Sequence, residues 1–233
     1  LKQAKALESS GLVDEAILAY KNIFDQFPYF REVFLSLKYI YIKNNNINEA
    51  LDLAQRYIEA KKFSNTSKMD AFEIYVFSNN SYQKEIITSI VASKSKNFNN
   101  IKKILSILLQ YDKESEAVVI INKIRKNKKS FYTLELGTYF SLKFDIDKSL
   151  NEYLIYLEDQ PKNIKVITQR IMFLSNNISS INNIINTLAK SDLTEDKIIH
   201  YKLEFKLNNF DRSYEIIKEI ENNGIYKIDL VND

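Results

Sequence analysis

A short phrase recurs along this chain at nearly constant spacing, and it constrains the fold more than any other feature. Residues 11–20 read GLVDEAILAY and residues 45–54 read NNINEALDLA, so each copy places a turn residue, an apolar residue and an acidic residue ahead of a small one. The small residues, Ala16 and Ala50, are 34 positions apart. Related phrases follow at 112–121, 145–153 and 209–214, with Ala117, Ser149 and Ser213 in the small position. A phrase that returns at such a period predicts an array of one supersecondary unit.

The scarcity of glycine and proline favours helices as the repeated element. The 233 residues include only three Gly and two Pro, whereas sheets and α/β folds use both residue types for their turns. Asparagine stands at the turns instead, at 44–46, 79–80, 176–177 and 208–209. Apolar residues make up 45% and charged residues 27% of the chain, which is typical of a folded domain. The predicted fold class is therefore all-α.

Each copy of the phrase follows a second apolar pattern of helical spacing. Upstream of Ala50, for example, Phe34, Leu37 and Tyr41 lie on one helical face. A small residue in the second helix lets the two helices approach closely. The repeated unit is therefore an antiparallel helix pair, which must stack on its neighbours to bury its apolar face.

The segment that begins at Thr133 carries a family resemblance. Its pattern continues with a Leu-Gly pair, an aromatic residue, a small residue, a second aromatic residue and a proline, namely Leu136, Gly137, Phe140, Ser149, Tyr153 and Pro161. This pattern resembles the tetratricopeptide repeat, with Thr133 in place of the usual Trp. Both prolines of the chain, Pro28 and Pro161, stand twelve residues after the small residue of their unit. The resemblance implies a right-handed α-solenoid of about six to seven tetratricopeptide-like helix-turn-helix repeats.

The solenoid is predicted to occupy residues 1–224. Its repeats fall at approximately 1–30, 31–64, 65–97, 98–129, 130–162, 163–191 and 192–224, and residues 225–233 form a tail or begin a further unit. The stretches 81–94 and 164–190 fit the pattern weakly, because Glu85 and Asn183 take the small position there. They are interpreted as distorted repeats or as a break in the superhelix. Gly224, which follows two asparagines, is expected to end the last helix.

Two other all-α folds compete with this interpretation. A non-repetitive helical bundle would not explain the recurring phrase. A pentatricopeptide array would imply RNA binding through paired polar side chains that read the bases. The corresponding positions here hold Leu, Met and Phe, so the tetratricopeptide interpretation is preferred.

The sequence lacks the residues that most enzymes require. It has no Cys and one His, and its three Gly allow neither a dinucleotide fingerprint nor a phosphate loop. His200 lies among apolar residues on a predicted helix and is interpreted as structural. Asp145 and Asp147 lack the glycine and distal glutamate of a calcium loop, so they are interpreted as helix-capping residues. We therefore expect no enzymatic activity, no cofactor and no metal site.

Positive charge concentrates in the middle of the chain. Residues 84–130 contain eleven Lys or Arg and four Asp or Glu. The densest run is Lys123, Arg125, Lys126, Lys128 and Lys129. Cations gather naturally at a helix C-terminus, but a basic patch could also meet an acidic peptide, a nucleic acid or a membrane surface. Nucleic acid is disfavoured, because exposed aromatic residues are not interleaved with these cations.

The resemblance implies a binding groove along the first helices of the repeats. Once core positions are removed, the first helices are predicted to present Leu35, Tyr39, Ile42, Lys43, Met69, Glu73, Phe77, Lys102, Ser106 and Leu109. This surface is rich in apolar and aromatic side chains, which generally mark a contact surface. The alternative is that a cap, an N-terminal helix outside this sequence or a neighbouring domain covers them.

The carboxylate clamp of chaperone-binding family members is not reproduced. The nearest residues here are Lys102 with Ser106, then Glu135, then Lys165 with Gln169. The two lysines match the family pattern, but Glu135 would repel the carboxylate that it should hold. A clamp of this kind is therefore not expected.

The expected function is a non-catalytic scaffold that binds a peptide or helix of a protein partner in the concave groove. The alternative is a structural solenoid that assembles with copies of itself, so a homo-oligomer is possible. No apolar run approaches the roughly 18 residues of a membrane span. The Lys-, Asn- and Ile-rich composition suggests a bacterial source, and the start at Leu1 slightly favours an exported protein over a cytoplasmic one.

Overall fold

The computed structural model describes residues 1–92, 97–175 and 178–222. Fourteen α-helices account for most of these residues, and no β-strand occurs among them. None of the described helices is both long enough and apolar enough to span a membrane. The all-α fold class is thus confirmed. The predicted helix end at Gly224 and the tail 225–233 lie outside the described residues.

The helices are joined in chain order by short turns. They are α1 (Lys2–Ser9), α2 (Val13–Gln26), α3 (Arg31–Lys43), α4 (Ile47–Ala60), α5 (Asn65–Phe77), α6 (Tyr82–Val91), α7 (Phe98–Gln110), α8 (Glu114–Arg125), α9 (Thr133–Leu142), α10 (Ile146–Asp159), α11 (Ile164–Leu174), α12 (Ile178–Leu188), α13 (Thr194–Lys206) and α14 (Phe210–Asn222). We number successive pairs as hairpins 1 to 7, so hairpin 1 is α1 with α2. Each predicted repeat range contains one pair, although the exact repeat boundaries stay a prediction.

The chain packs as two compact units. The N-terminal unit is Leu1–Ile120, and the C-terminal unit begins at Ile121, so the division falls inside α8. A stacked pair of rings, Phe34 on α3 and Tyr57 on α4, lies in the core of the N-terminal unit with centroids 4.0 Å apart. The C-terminal unit has its own core of leucine and isoleucine side chains from α10 to α13.

One turn geometry recurs inside the hairpins. The second residue after the first helix adopts a left-handed backbone, with φ between 54° and 77°, at Gly11, Asn45, Asn79, Asp112, Phe144 and Asn208. The next amide then donates to the carbonyl five residues back, as from Asn46 to Tyr41 at 2.8 Å. This arrangement satisfies the last carbonyls of a helix. Glycine, asparagine and aspartate tolerate the left-handed region best, which explains why asparagine replaces glycine and proline at these turns.

In five of the hairpins, a small residue of the second helix is buried against the first helix. Ala16, Ala50, Ala117, Ser149 and Ser213 are all buried. The two serines also bond across the contact, because their hydroxyls donate to the carbonyls of Gly137, at 2.8 Å, and Tyr201, at 3.1 Å. The small-residue phrase therefore marks a buried contact between the two helices.

The register predicted for the two weak repeats is wrong. Glu85 and Asn183 are exposed, and the buried positions belong to Gln83 and Ile181. Gln83 lies 33 residues after Ala50. Together with Ile86 and Ile90, it forms the buried face of α6. A carboxylate at Glu85 stays hydrated on the opposite side of α6, where burial does not penalise its charge. These hairpins keep the fold with a larger residue at the helix contact.

Candidate partner-binding surfaces

The most accessible aromatic residue predicted for the groove is Tyr39, on α3. Its side chain is 59% exposed, and the Lys43 ammonium lies 5.9 Å from the ring centroid. Leu35 and Ile42, on the same helix, are half-buried. The helix therefore presents an apolar surface with a cation at its edge, which suits a contact with an apolar side chain.

Glu73 and Phe77 connect neighbouring first helices. The Lys38 ammonium lies 2.8 Å from the Glu73 carboxylate, and the Tyr111 hydroxyl donates to the same carboxylate at 3.3 Å. Burial, together with Glu73, raises the pKa of Tyr111 to about 12. Phe77 is half-buried with its ring edge-on to Tyr111, at 6.2 Å between centroids. These contacts join α3, α5 and α7 within the N-terminal unit.

Two predicted groove residues are not accessible. Met69 on α5 and Leu109 on α7 are buried, so their interpretation as exposed groove residues is corrected. Met69 is buried because this part of α5 is enclosed on all sides, so that every residue from Met69 to Phe72 is buried. Lys102 and Ser106 of α7 are exposed, as predicted.

Sequence reasoning missed a buried carboxylate under this surface. Asp70 on α5 is 3% exposed, and it accepts hydrogen bonds from Arg31 Nε at 2.7 Å and Nη2 at 2.8 Å. The Tyr57 hydroxyl donates to it at 3.2 Å. Burial opposes ionisation of Asp70, but the bonds and charge of Arg31 outweigh it and hold the pKa of this carboxyl below its ordinary value. Arg31 and Asp70 are 39 residues apart in the sequence, so no local sequence pattern predicts that they pair.

Two residues of the basic run at the end of α8 form ion pairs within the C-terminal unit. Arg125 makes a two-bond pair with Glu152 of α10, at 2.9 and 2.6 Å, and its Nε donates to the Phe131 carbonyl at 3.0 Å. Both side chains of the pair are largely buried. Lys129 pairs with Glu158 at 2.6 Å. The prediction of a five-residue surface patch is therefore corrected for Arg125, whereas Lys123, Lys126 and Lys128 are exposed.

The single histidine, which was predicted to be structural, is buried in the C-terminal unit. His200 is buried on α13 with Nε2 3.2 Å from Glu204 Oε1, and Asn209 donates to the other Glu204 oxygen at 2.8 Å. Burial lowers the pKa of His200. The Asp145 carboxylate accepts from the Lys148 amide and caps α10, as predicted. Within the described ranges, no three His, Asp or Glu side chains converge as metal ligands would.

No family model matches the sequence, and no curated protein matches it. One solved structure that is similar is a tetratricopeptide repeat protein from Parabacteroides merdae ATCC 43184, which is 12% identical with a TM-score of 0.46. The match covers 97% of this chain and 92% of that chain.

Proposed function

We propose that the protein is a non-catalytic interaction scaffold that binds a peptide or helix of a protein partner on the first-helix side of its N-terminal unit. The observation that carries the proposal is the exposed ring of Tyr39 among half-buried Leu35 and Ile42. Tyrosine is enriched among the few residues that dominate interface energies. An array of helical hairpins supports such a surface on rigid elements.

The geometry suggests how a partner would be held. An apolar side chain of the partner covers the Tyr39 ring and the exposed parts of Leu35 and Ile42, so that water is excluded from the centre. The Lys43 ammonium stands at the edge of this surface and favours an acidic group on the partner. Charges at the rim mainly affect association rate and orientation, whereas the buried centre supplies most of the affinity.

Site-specific photo-crosslinking tests this proposal. A benzophenone amino acid replaces Tyr39, and covalent adducts formed in source-cell extract are identified by mass spectrometry. Tyr29 provides a matched control, because it is 53% exposed and also has a lysine ammonium, that of Lys61, 5.9 Å from its ring centroid. The proposal expects a discrete adduct from position 39 that is absent from position 29. Equal or absent adducts at both positions would contradict it.

The alternative function, self-assembly, has one observation in its favour. In the C-terminal unit, large apolar side chains stand exposed at the hairpin turns, and Phe144 is 87% exposed. Surfaces of this kind can pair with another copy of the chain. Light scattering over a wide concentration range separates the two functions, because a scaffold stays monomeric without its partner whereas a self-assembling chain grows in mass. Phe144→Asp would reverse that growth.

A further inference from the structure

The charges of the N-terminal unit divide between the first and the second helices of its hairpins. The first helices α1, α3, α5 and α7 carry eight Lys or Arg and four Asp or Glu, so their net charge is +4. The second helices that lie wholly within this unit, α2, α4 and α6, carry three basic and seven acidic residues, so their net charge is −4. Tyr39, Leu35 and Ile42, which form the Tyr39 surface, therefore belong to the positively charged set of helices.

Three of the four acidic residues on these first helices are already paired. Each pairs with a cation of the adjacent first helix, and the pairs are Glu32 with Lys5, Asp70 with Arg31 and Glu73 with Lys38. The fourth acidic residue is Glu8. The excess positive charge comes from the other lysines of these helices, which are Lys2, Lys43, Lys68, Lys102 and Lys103.

Arg31 is the paired cation that is most open to a ligand. Its side chain is 55% exposed, whereas that of Asp70 is 3% exposed. The two bonds to Asp70 use Nε and Nη2, and no hydrogen bond joins Nη1 to another residue that the structure describes. The two terminal nitrogens of a guanidinium form a second edge that can bind a further carboxylate. Asp70 therefore holds the guanidinium in place and leaves this second edge to solvent.

The surroundings of Asp70 keep this arrangement charged and fixed. Burial opposes ionisation of Asp70, but the hydrogen bonds and charge of Arg31 outweigh it and lower the pKa of the carboxyl. Tyr57 and the charge of Lys103 lower it further. A buried carboxylate with these partners cannot leave Arg31 without losing its compensation. The position of the guanidinium is thus set by contacts with α4 and α5 as well as by its own helix.

Arg31 lies in line with the apolar part of the Tyr39 surface. Positions 31, 35, 38 and 42 follow helical spacing, so Leu35 and Ile42 lie on the same face of α3 as Arg31. Tyr39 adjoins this face, eight residues after Arg31, which is about 12 Å along a helix axis. An extended peptide covers that distance in about four residues. One partner segment can therefore reach both Arg31 and Tyr39.

We propose that the segment bound at the Tyr39 surface is acidic and extended, and that Arg31 binds an Asp or Glu about four residues from its apolar anchor. The second edge of the guanidinium donates charge-assisted hydrogen bonds to that carboxylate. The positive charge of the first helices steers such a segment toward this side of the unit. A nucleic acid could meet the cations, but it has no apolar side chain to cover Leu35 and Ile42. This inference rests on the proposed function and adds the chemistry of the partner to it.

Selection of peptides from a random phage-displayed library against the full chain tests the chemistry of the partner. We expect the selected peptides to combine an apolar residue with more Asp and Glu than the starting library, and to lose binding to Tyr39→Ala. Neutral or basic peptides that depend on Tyr39 would overturn this inference and leave the proposed function standing. If no selected peptide depends on Tyr39, the proposed function fails and this inference fails with it.

Matched double variants test the role of Arg31. Arg31→Gln with Asp70→Asn removes the guanidinium, leaves no buried carboxylate unpaired and keeps the net charge. Arg56→Gln with Asp25→Asn is the control, because Arg56 on the second helix α4 pairs with Asp25 at 2.7 Å and is 39% exposed. Fluorescence anisotropy with a selected acidic peptide should show about tenfold weaker binding to the first variant and unchanged binding to the second. Equal affinities of the two folded variants would overturn the role of Arg31.

The same contact can be tested on the unaltered chain, where folding is not at issue. The acidic residue about four positions from the apolar anchor of the selected peptide is replaced by its amide. This peptide should bind the unaltered chain about tenfold more weakly than the original peptide does. Both peptides should bind the Arg31→Gln, Asp70→Asn variant alike, because the contact is then lost on either side. An amide peptide that binds the unaltered chain as tightly as the acidic one would contradict the proposal.

Two other occupants of this surface are distinguished in the same assay. A thymidine oligonucleotide of the same net charge as the peptide should not displace it, because the oligonucleotide cannot fill the apolar part of the surface. Light scattering without peptide should show a monomer. Displacement by the oligonucleotide, or association of copies that the peptide reverses, would assign the surface to a nucleic acid or to a second copy of the chain and would overturn the proposal.

Discussion

The two compact units build the same hairpin from different residues. In the N-terminal unit the helix contact holds alanine, at Ala16, Ala50 and Ala117, and the turns are made by glycine, asparagine or aspartate. In the C-terminal unit the contact holds Ser149 and Ser213, which add a hydrogen bond, and one turn is made by Phe144. The left-handed turn recurs in both units, whereas the helix contact accepts alanine, serine and, in the two weak repeats, Gln83 or Ile181.

The units also differ in how they bury charge. In the N-terminal unit Asp70 is buried, but the side chain of its partner Arg31 is 55% exposed. In the C-terminal unit both members of the Arg125–Glu152 pair are largely buried. Breaking a pair costs most when the remaining charge cannot reach water. The two units should therefore respond differently to the loss of one carboxylate.

The largest expected effect comes from Glu152→Gln. This change leaves the Arg125 guanidinium buried beside a neutral amide, and it should lower the free energy of unfolding by about 3–5 kcal/mol. Asp70→Asn should cost less, about 1–2 kcal/mol, because Arg31 can turn to water. Urea unfolding of the two variants measures the difference. Equal losses would mean that burial of the partner does not decide the cost.

Ala50→Leu should have the next largest effect. Ala50 is fully buried at the contact between α3 and α4, so a leucine there overpacks the hairpin at a cost of roughly 1–3 kcal/mol. Glu85→Leu is the control, because Glu85 is exposed on α6, on the side of that helix opposite to its buried contact residue Gln83. A melting midpoint unchanged by Ala50→Leu would show that the small position is not what brings the helices together.

Exchanging the turn residues of the two units should produce a smaller and reciprocal effect. Phe144→Asn places a residue that tolerates the left-handed region at φ 59°, and should stabilise the protein by about 1 kcal/mol. Asn45→Phe, at the same φ in the N-terminal unit, should destabilise it by a similar amount. Thermal unfolding measures both changes. If Phe144→Asn destabilised the protein, the phenyl ring would be making a contact that stabilises the fold.

The smallest expected effect is a pH dependence in the C-terminal unit. Burial keeps the pKa of His200 below its ordinary value of 6.5, so the unfolded chain takes up a proton there before the folded chain does. The free energy of unfolding should therefore fall as the pH drops below about 6.5. His200→Gln should remove this part of the slope between pH 7.5 and pH 5. Parallel stability curves for the two proteins would show that His200 titrates alike in both states.

The sequence allowed the hairpins to be predicted because local constraints define them. The small residues, the turn asparagines and the cap at Asp145 each act within one hairpin, so a pattern of a few residues reveals them. The register of α6 was predicted wrongly because α6 begins at Tyr82, three residues after the left-handed Asn79 instead of two. Counting three residues from the helix start, as from Ile47 to Ala50, then selects Glu85 instead of Gln83.

The candidate surface was harder to predict than the fold. Tyr39 was correctly predicted to be exposed, because it does not lie on the face of α3 that carries the core positions. Met69 was not recognised as buried, and the pairing of Arg31 with Asp70 was missed, because both depend on contacts between helices of different hairpins. Such contacts leave no spacing signal in the sequence of either helix.

The most direct test of the Tyr39 surface as the binding site uses the partner identified by photo-crosslinking. Its affinity is measured for the Tyr39→Ala and the Tyr29→Ala proteins. Both rings are more than half exposed, so neither change should alter the melting midpoint by much. Tyr39→Ala should weaken binding by about 2 kcal/mol or more, whereas Tyr29→Ala should leave the dissociation constant unchanged. Unaltered binding by a folded Tyr39→Ala protein would contradict the claim that this face of the N-terminal unit holds the partner.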